Sequence, residues 1–410
     1  MNYHSGRGFP SEIISDLSRM QALFANKWFF VGTRADVSKP RDYFKFNLFD
    51  EQYFLVHGSD GEIRCLVNRC AHQSARLVND DTGKCAASII CPNHQWAYKL
   101  NGGALHTAAG MSAEFHESEG KDFALDQIPL REIDGMLFAC LDSEANDHNM
   151  SEVEAVLAPY TNPFGLGESS SGESSYKAAY HHRESIDANW LVVMINNREC
   201  CHCAANHKRL LNLFDPASFN GASSPAYDAL FKNAVDRWEK SGLAWQEDAF
   251  ETSPEVRVAR YPMAKGFKSI SFDGKPVSKK TIGPFVGQDY DEGTLSFWFN
   301  PNAWIHFVSD HIAVNWVLPI NADRCELYTS WIVASDAVEG EDYTEDHLTE
   351  VWKLTNQEDV GLCMSMNAGV KSKHYHPGPF SENEKFCTQF CDWYMANSGK
   401  PEGESLKGKA

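Results

Sequence analysis

The sequence predicts an α+β fold, with an all-β module near the N-terminus and a larger module in which helices cover one face of an antiparallel sheet. From residue 28 to about 141, short apolar runs such as FFVGT, YFLVHG, IRCLVN, SIICP and MLFACL alternate with turn residues, among them Asp60-Gly61. Farther along, a helix-like block at 187–212 and a helix at 344–367 enclose a strand-rich stretch. The strands predicted there are VRVARYPM, FKSISFDG, LSFWFNP, WIHFVSDH, IAVNWVLPI and LYTSWIVAS.

These patterns divide the chain into four predicted segments. Residues 1–27 are expected to form N-terminal helices that pack on the larger module. The apolar residues at helical spacing there are Ile13, Ile14, Leu17, Met20, Leu23 and Phe24. The all-β module spans 28–150 and the larger, helix-grip-like module spans 151–396. We expect a flexible tail at 397–410 and an exposed loop at 167–175, where the sequence is GESSSGESS.

Composition excludes some classes of partner. The formal net charge of −19, from 37 basic and 56 acidic residues, argues against nucleic acid, because binding a polyanion requires clustered Lys and Arg. The acidic excess favours solubility or an acidic face that docks a redox partner. No leader-like segment opens the chain and no apolar run approaches the roughly 18 residues of a membrane span, so we expect a cytoplasmic protein without membrane contact. Its twelve cysteines are expected to be buried thiols or metal ligands.

Two short motifs place four metal-ligating side chains at the ends of predicted strands. The first is Cys70-Ala71-His72, after CLVN, and the second is Cys91-Pro92-Asn93-His94, after SII. Two Cys and two His can bind a structural zinc ion, or a Rieske [2Fe–2S] cluster in which the Cys hold one iron and the His hold the other. Zinc sites usually begin with two nearby cysteines and end with paired histidines. Since each motif here pairs one Cys with one His, the spacing favours the cluster.

A second candidate site lies in the helix-like block, in the stretch NNRECCHCAANH at 196–207. His202 and His207 are five residues apart, about 140° around an ideal helix, so the helix must end or distort between them. We expect irregular geometry at 204–206. Two imidazoles and one carboxylate leave positions open on Fe(II) for O₂ and substrate. Candidate carboxylates occur much later, in Gln357-Glu358-Asp359.

Packed or solvated histidines are the alternative to an iron site. The neighbouring thiols of Cys200, Cys201 and Cys203 also suggest a thiolate metal site. Three cysteines within four residues cannot all point inward from one helix, however. A cluster that accepts electrons but performs no substrate chemistry would require a second site, which favours the iron interpretation.

With both motifs present, the chain resembles the Rieske non-haem iron oxygenase α-subunits over nearly its whole length. Within them it is most similar to the glycine betaine and proline betaine (stachydrine) demethylases, with choline and carnitine monooxygenases more distant. The stretches that carry the resemblance are the cluster loops, CPNHQWAYKLNGG, NW followed by NNRECCHCAANH, WIHFVSDH, TNQED, HPGPFSENE and the terminal DWY.

The resemblance implies a role for each candidate ligand. The cluster would be held by Cys70, His72, Cys91 and His94, and the mononuclear iron by His202, His207 and Asp359. Glu199 would bridge His202 to the Rieske histidine of a neighbouring subunit, by position His94, because the two centres of one chain are too far apart in this family. The resemblance also implies a homotrimer that receives electrons from NAD(P)H through a separate flavin/[2Fe–2S] reductase.

The sequence departs from the family pattern at four positions. Cys201 stands where a Tyr is frequent. Around the first cluster motif, Arg and Gly are frequent where this chain has Ala71, Gln73 and Ser74. These differences affect what can be expected of the cluster potential and of the surface that docks the reductase.

The resemblance further implies a quaternary ammonium substrate, which aromatic faces and a nearby carboxylate would recognise. Trp298 and Trp304 would share one face of a strand segment, and Asp310 and His311 follow it. These four residues are the predicted substrate contacts, although an aromatic strand is usually core. The predicted activity is O₂-dependent N-demethylation with formaldehyde release. The alternatives are choline or carnitine oxygenation, aromatic-ring hydroxylation, a Rieske electron carrier and a zinc-stabilised binding protein.

Overall fold

The computed structural model describes residues 3–142, 150–167, 174–215, 224–245 and 253–399. Most of the predicted loop at 167–175 and of the predicted tail at 397–410 lies outside these ranges. Within them the chain combines three small antiparallel sheets, one six-stranded antiparallel sheet and helices. The predicted α+β class is therefore confirmed.

Two helices open the described chain, α1 (Ser11–Ile14) and α2 (Leu17–Asn26). Asp16 caps α2, because its Oδ1 accepts a hydrogen bond from the Arg19 amide at 3.1 Å. The apolar face of α2 is buried, and the Phe24 ring lies 5.3 Å from that of Trp190 in the larger module. The predicted helical spacing is therefore confirmed.

The β-rich region that follows contains eleven strands among the described residues. They are β1 (Phe29–Thr33), β2 (Asp42–Leu48), β3 (Glu51–His57), β4 (Ile63–Val67), β5 (Thr82–Lys84), β6 (Ile89–Ile90), β7 (Ala97–Tyr98), β8 (Leu105–Thr107), β9 (Gln127–Ile128), β10 (Leu130–Ile133) and β11 (Met136–Ala139), with a short helix α3 (Ala113–Glu117). They form sheets of order β5-β2-β3-β4-β9, β6-β7-β8 and β1-β11-β10.

The larger region is built around one antiparallel sheet of order β12-β17-β16-β15-β14-β13. Its strands are β12 (Tyr176–Ile186), β13 (Val256–Pro262), β14 (Gly293–Phe299), β15 (Ala303–Phe307), β16 (Ile312–Asn321) and β17 (Arg324–Ala334). The helices are α4 (Met150–Thr161), α5 (Trp190–Asn196), α6 (Cys203–Asn206), α7 (Pro225–Lys240), α8 (Glu345–Val370) and α9 (Lys385–Asn397). No described helix is both long enough and apolar enough to cross a bilayer.

Alternation along the strands gives this sheet two different faces. The helix-facing side carries Asn315, whose Oδ1 accepts a hydrogen bond from Asn356 of α8 at 3.1 Å. The opposite side, which faces the β-rich region and is called the module-facing side, carries Trp316. Its ring lies 5.6 Å from that of Phe30 in β1 and 5.7 Å from that of Phe44 in β2. The β-rich region and α8 therefore cover opposite faces of the same sheet.

Several details of the prediction are wrong. The run FKSISFDG at 267–274 is not a strand but a series of turns, because its polar side chains bond locally. Ser271 Oγ donates to Lys275 O at 2.7 Å and Asp273 Oδ1 accepts from Lys275 N at 3.0 Å. The prediction also missed β12, α4, α7 and α9. The other five runs coincide with β13 to β17.

A buried carboxylate joins the β-rich region to the large sheet. Asp36 Oδ1 lies 2.7 Å from Ser330 Oγ and 2.9 Å from His181 Nε2, and Asp36 Oδ2 accepts from the Thr33 amide at 2.6 Å. Burial alone would raise the pKa of Asp36, but these hydrogen bonds and the charge of His181 hold it below its usual value. The cluster therefore stabilises the contact in its ionised form.

We predict that Asp36→Asn lowers the free energy of unfolding by about 3 kcal/mol near neutral pH, the typical effect of breaking a buried charge pair. Because the pKa of Asp36 is lowered in the folded state, its contribution is present above the unfolded pKa and is lost as the pH falls through the folded one. Denaturant unfolding at several pH values measures the difference. Exposed Asp50→Asn is the control, and equal stability of the two variants would contradict the prediction.

Candidate metal centres

The two cluster motifs form loops of the same backbone geometry. In the first, Cys70 N donates to Ala75 O at 2.8 Å and Ser74 N donates to Cys70 O at 2.9 Å. In the second, Cys91 N donates to Trp96 O at 2.8 Å and Gln95 N donates to Cys91 O at 3.1 Å. The fifth residue of each loop has a left-handed backbone conformation, with φ of 59° at Ser74 and 58° at Gln95. Glycine adopts this conformation without strain, so Ser74 is a costly residue at its position.

The four predicted cluster ligands converge at the tips of these loops. The thiols of Cys70 and Cys91 are close enough to interact with each other, and the ring centroids of His72 and His94 are 4.8 Å apart. His72 Nδ1 is buried and finds no hydrogen-bond partner in the described part of the chain. A buried, unpaired imidazole nitrogen requires an explanation, and an iron ligand supplies one. Two sulfurs on one side and two imidazoles on the other fit a [2Fe–2S] cluster.

Aromatic residues support this site from the protein side. The Trp96 ring stacks on His72 at 4.5 Å with an interplanar angle of 6°. The Tyr98 hydroxyl accepts from the Ala71 amide at 3.1 Å and lies 3.1 Å from Cys70 Sγ, to which it donates. His94, by contrast, is exposed. One histidine of the candidate cluster therefore faces away from its own chain.

The second site lies where the helix-like block breaks. After α5 ends at Asn196, the chain turns and makes only the single helical turn of α6. His202 precedes this turn and His207 follows it, with φ −107° and ψ 63°. The single turn of α6 thus lies between the two histidines and ends before His207, as predicted. The irregularity expected at 204–206 is wrong, because these residues are helical and the breaks lie before His202 and at His207.

The three candidate ligands of this site meet at one point. Asp359 Oδ1 lies 3.1 Å from His202 Nε2 and 3.0 Å from His207 Nε2. Donor atoms that bind one ion at about 2.1 Å and at right angles to each other are about 3 Å apart. The separations fit one face of a first-row metal ion. Asp359 is carried by α8, so the packing of this helix beside the segment that contains α5 and α6 brings together residues more than 150 positions apart.

A carboxylate lies within hydrogen-bonding distance of the Nδ1 atom of each histidine. His202 Nδ1 lies 2.6 Å from Glu199 Oε1, and His207 Nδ1 lies 2.7 Å from Glu358 Oε2. A carboxylate on Nδ1 fixes the tautomer that leaves the Nε2 lone pair free for a metal. Burial alone would lower the pKa of His202, yet Asp359 and Glu199 raise it to about 10. Three carboxylates around two imidazoles make this site strongly attractive to a divalent cation.

The neighbouring thiols take different positions. Cys203 is buried, with Sγ 3.8 Å from His202 Nε2, whereas Cys200 is exposed and Cys201 is half-buried. The expectation that the three would not all point inward is therefore confirmed. The donor atoms of His202, Cys203 and His207 lie within 4.8 Å of one another.

An aromatic wall lies on the helix-facing side of the large sheet. Trp298 and Trp304 are directly opposite each other in β14 and β15, and Trp304 is opposite Asn315, which contacts α8. Two residues along the same face, His306 stacks on Trp352 of α8 at 4.3 Å, with an interplanar angle of 10°. Trp298 and Trp304 therefore share a face, as predicted, and this face is covered by the helix that carries Asp359.

His306 is an uncharged member of this wall. Its Nδ1 lies 2.7 Å from Ser296 Oγ, which in turn lies 3.0 Å from the Tyr261 hydroxyl. Burial, and secondarily the charge of His311, lower the pKa of His306 to about 3. The imidazole is therefore neutral near pH 7 and contributes an aromatic face rather than a charge.

Asp310 and His311 lie in a buried polar cluster. Both are fully buried, and His311 Nδ1 lies 2.9 Å from Asp310 Oδ1. The Asp310 carboxylate also accepts from Ser269 Oγ at 2.8 Å and from Val277 N at 2.7 Å. Both of its oxygens are thus engaged in holding the loop at 269–278, an arrangement that favours a structural role. Substrate contact by Asp310 and His311 stays a prediction.

Comparison with known families identifies both regions of the chain. The model of the Rieske [2Fe–2S] domain matches residues 27–116, and that of the ring hydroxylating alpha subunit (catalytic domain) matches residues 173–399. A Rieske domain joined to this catalytic domain defines a Rieske non-haem iron oxygenase, an enzyme that uses O₂ with a [2Fe–2S] cluster and a mononuclear iron. The chain belongs to the ring hydroxylating alpha subunit family. The zinc-protein and electron-carrier alternatives are therefore wrong.

Curated relatives extend over most of the chain. The glycine betaine monooxygenase oxygenase subunit of Chromohalobacter salexigens is 31% identical over 381 residues, which cover 92% of this chain and 81% of that protein. Its counterpart in Pseudomonas aeruginosa PAO1 is 30% identical over 380 residues, 92% of this chain and 84% of that protein. The carnitine monooxygenase oxygenase subunit of Escherichia coli K12 is 29% identical over 189 residues, covering 45% of this chain and 47% of that protein.

Solved structures share the fold. A quaternary ammonium Rieske monooxygenase in complex with an inhibitor has a TM-score of 0.69 at 18% identity, and the match covers 96% of this chain and 95% of that one. Naphthalene 1,2-dioxygenase with bound indole has a TM-score of 0.66 at 17% identity, with coverage of 97% and 93%. Both likenesses establish the fold alone, because enzymes with different named substrates share it.

The sequence interpretation missed three supporting residues. It considered Glu358 only as an alternative ligand, whereas the structure places it behind His207. It did not identify Trp352, or Asn196, whose Nδ2 donates to Asp359 Oδ1 at 3.1 Å. Helical periodicity offered a signal for Trp352, since positions 352, 356 and 359 share one face of α8. Nothing local linked Asn196 to α8, because that contact depends on tertiary packing.

We predict that Glu358→Ala weakens binding of the mononuclear metal about 10- to 100-fold while the cluster is retained, because a carboxylate behind a ligating imidazole fixes its orientation. The His207 side chain is 1% exposed, so solvent cannot readily replace this partner. Iron per chain after exposure to a chelator reports the loss, and visible absorption reports the cluster.

Exposed Gln357→Ala, one position earlier on the same helix, is the matched control and should retain both centres. Equal iron retention in the two variants would show that Glu358 does not support the metal site.

Proposed function

We propose that this protein is the oxygenase component of an O₂-dependent monooxygenase that removes an N-methyl group from a quaternary ammonium compound such as glycine betaine or proline betaine. The observation that carries the oxygenase chemistry is the meeting of His202, His207 and Asp359 at separations of 3.0–3.1 Å. The substrate class is supported by relatives that are named glycine betaine monooxygenase and by the aromatic wall beside α8.

The proposed reaction hydroxylates one N-methyl group. The mononuclear iron supplies O₂ activation, and NAD(P)H supplies two electrons through a separate reductase. One oxygen atom enters the methyl C–H bond and the other leaves as water. The resulting carbinol loses formaldehyde when its C–N bond breaks, the electron pair stays on nitrogen, and the hydroxyl proton leaves. The products are formaldehyde and the demethylated amine.

The residues proposed for the two centres have distinct roles. Cys70, His72, Cys91 and His94 would hold the cluster, and His202, His207 and Asp359 would hold the iron, a ligand set that leaves positions for O₂ and substrate. Glu199 keeps His202 in the required tautomer through the 2.6 Å hydrogen bond. We propose that Glu199 also contacts the exposed His94 of a neighbouring subunit in a trimer, which connects the two centres for electron transfer.

The substrate is proposed to bind between α8 and the helix-facing side of the large sheet. A quaternary ammonium group carries a charge without a hydrogen-bond donor, so aromatic rings within about 6 Å are its natural partners. Trp298 and Trp304 are the proposed rings. Asp359 would contribute negative charge on this side of α8, and neutral His306 would add aromatic surface without adding positive charge.

The test is formaldehyde release by the purified protein with iron, NADH, O₂ and a compatible reductase. We expect turnover with glycine betaine or proline betaine, one formaldehyde per O₂ consumed, and none with Asp359→Ala, which removes a proposed iron ligand. A panel that includes choline, carnitine and an arene separates the alternative substrates. Absence of turnover on every betaine, with both centres loaded, would refute the proposal.

We predict that Glu199→Gln lowers the turnover number by about 100-fold or more while both metal centres remain bound, because the amide keeps a polar contact with His202 but removes the bridging charge. Single-turnover spectroscopy of the reduced cluster measures electron transfer directly. Exposed Glu382→Gln, on the surface near α9, is the control and should transfer electrons at the wild-type rate. Unchanged cluster reoxidation in Glu199→Gln would contradict the bridging role.

A further inference from the structure

Cys200 and Cys203 form a C-x-x-C pair that the proposed reaction does not use. They stand at the ends of a tight turn in which Cys203 N donates to Cys200 O at 3.1 Å. A four-residue turn brings its end Cα atoms within about 7 Å, near the separation that a disulfide spans. Their thiols are close enough to interact with each other, and both are free.

The two thiols differ in access. Cys200 is exposed, whereas Cys203 is only 7% exposed and its Sγ lies 3.8 Å from His202 Nε2. An accessible thiol beside a buried one is the arrangement in which the first sulfur is oxidised and the second resolves it. The turn also carries His202 and follows Glu199, so a change in the turn acts directly on their hydrogen bond.

We propose that Cys200 and Cys203 are a redox-modification site, oxidised by hydrogen peroxide to a disulfide that reversibly inactivates the mononuclear iron centre. In the first step the Cys200 sulfur attacks peroxide, the O–O bond breaks, and sulfenic acid and one water form. In the second step the Cys203 sulfur attacks that sulfenic sulfur, the S–O bond breaks, and a second water carries away the remaining proton. The two thiols supply the two electrons that reduce the peroxide.

The disulfide inactivates the centre through geometry. Closing the bond draws Cys203 Sγ to about 2.05 Å from Cys200 Sγ and away from its place beside His202. It also locks the turn on which the Glu199 to His202 hydrogen bond depends. Cys201 is one residue from Cys200 and two residues from Cys203. It cannot replace either partner, because side chains at these spacings in a helical turn do not face each other.

The experiment treats the holoenzyme with hydrogen peroxide, then alkylates and digests it without reductant. Mass spectrometry should find that the peptide containing residues 200–203 is two hydrogens lighter than the same peptide with free thiols. Cys200 and Cys203 should carry no alkyl group. Activity should fall by about tenfold or more, as when groups around a metal site are disturbed, and should return with dithiothreitol while the cluster absorption stays constant. Neither Cys200→Ser nor Cys203→Ser should show reversible inactivation, whereas Cys201→Ser should behave as the wild type.

This inference would be overturned if the peptide keeps both thiols after peroxide treatment, or if the disulfide forms and activity is unchanged. It would also be overturned if the Cys200→Ser and Cys203→Ser variants lose and regain activity as the wild type does. The peptide measurement needs no substrate. If no betaine is a substrate, the proposed function is refuted, and the redox site is tested by the peptide measurement and by iron retention after peroxide treatment. If the enzyme demethylates betaine but its thiol pair stays reduced, only this inference is refuted.

Discussion

The meeting of Asp359 with two imidazoles is the constraint on which the functional part of this molecule depends. The site attracts positive charge because three carboxylates surround two imidazoles, and a bound divalent cation or protonation of the imidazoles can supply it. Two separate elements must be positioned to make it. The broken helix supplies His202 and His207, and α8 supplies Asp359 with Glu358 behind His207. Neighbouring side chains of one helical turn thus hold both nitrogens of the same ring.

The position of α8 is in turn fixed by polar contacts rather than by apolar packing alone. Asn356 donates to Asn315 Oδ1 at 3.1 Å and to Thr329 Oγ1 at 3.2 Å, inside a buried layer. Leaving any of these groups without a partner would cost about 1–3 kcal/mol, so sliding the helix by one turn is strongly disfavoured. Since Asp359 follows Asn356 by one turn, this amide network sets the depth at which the carboxylate reaches the iron site.

The sequence predicted the parts of the fold that leave a local pattern. The short strands of the β-rich region and five strands of the large sheet follow alternation and turn residues, and the cluster motifs depend on spacing within two loops. FKSISFDG was wrongly predicted as a strand because Ile270 and Phe272 alternate with polar residues, whereas Ser271 and Asp273 bond to the nearby backbone. The sequence could not predict that Glu358 pairs with His207 or that Asn196 pairs with Asp359. Both contacts depend on how α8 lies across the sheet.

The two faces of the large sheet give a physical reason for the proposed electron route. The β-rich region docks on the module-facing side, through Asp36 and the rings around Trp316. The candidate iron site lies on the other side, beneath α8. A sheet with its packed layers is about 10 Å thick, so it separates the iron from the region that carries the cluster of the same chain. His94 is exposed on its own chain, so its imidazole is accessible to the neighbouring subunit proposed above. An electron path that enters through Glu199 from a neighbouring subunit, as proposed above, would avoid crossing the sheet.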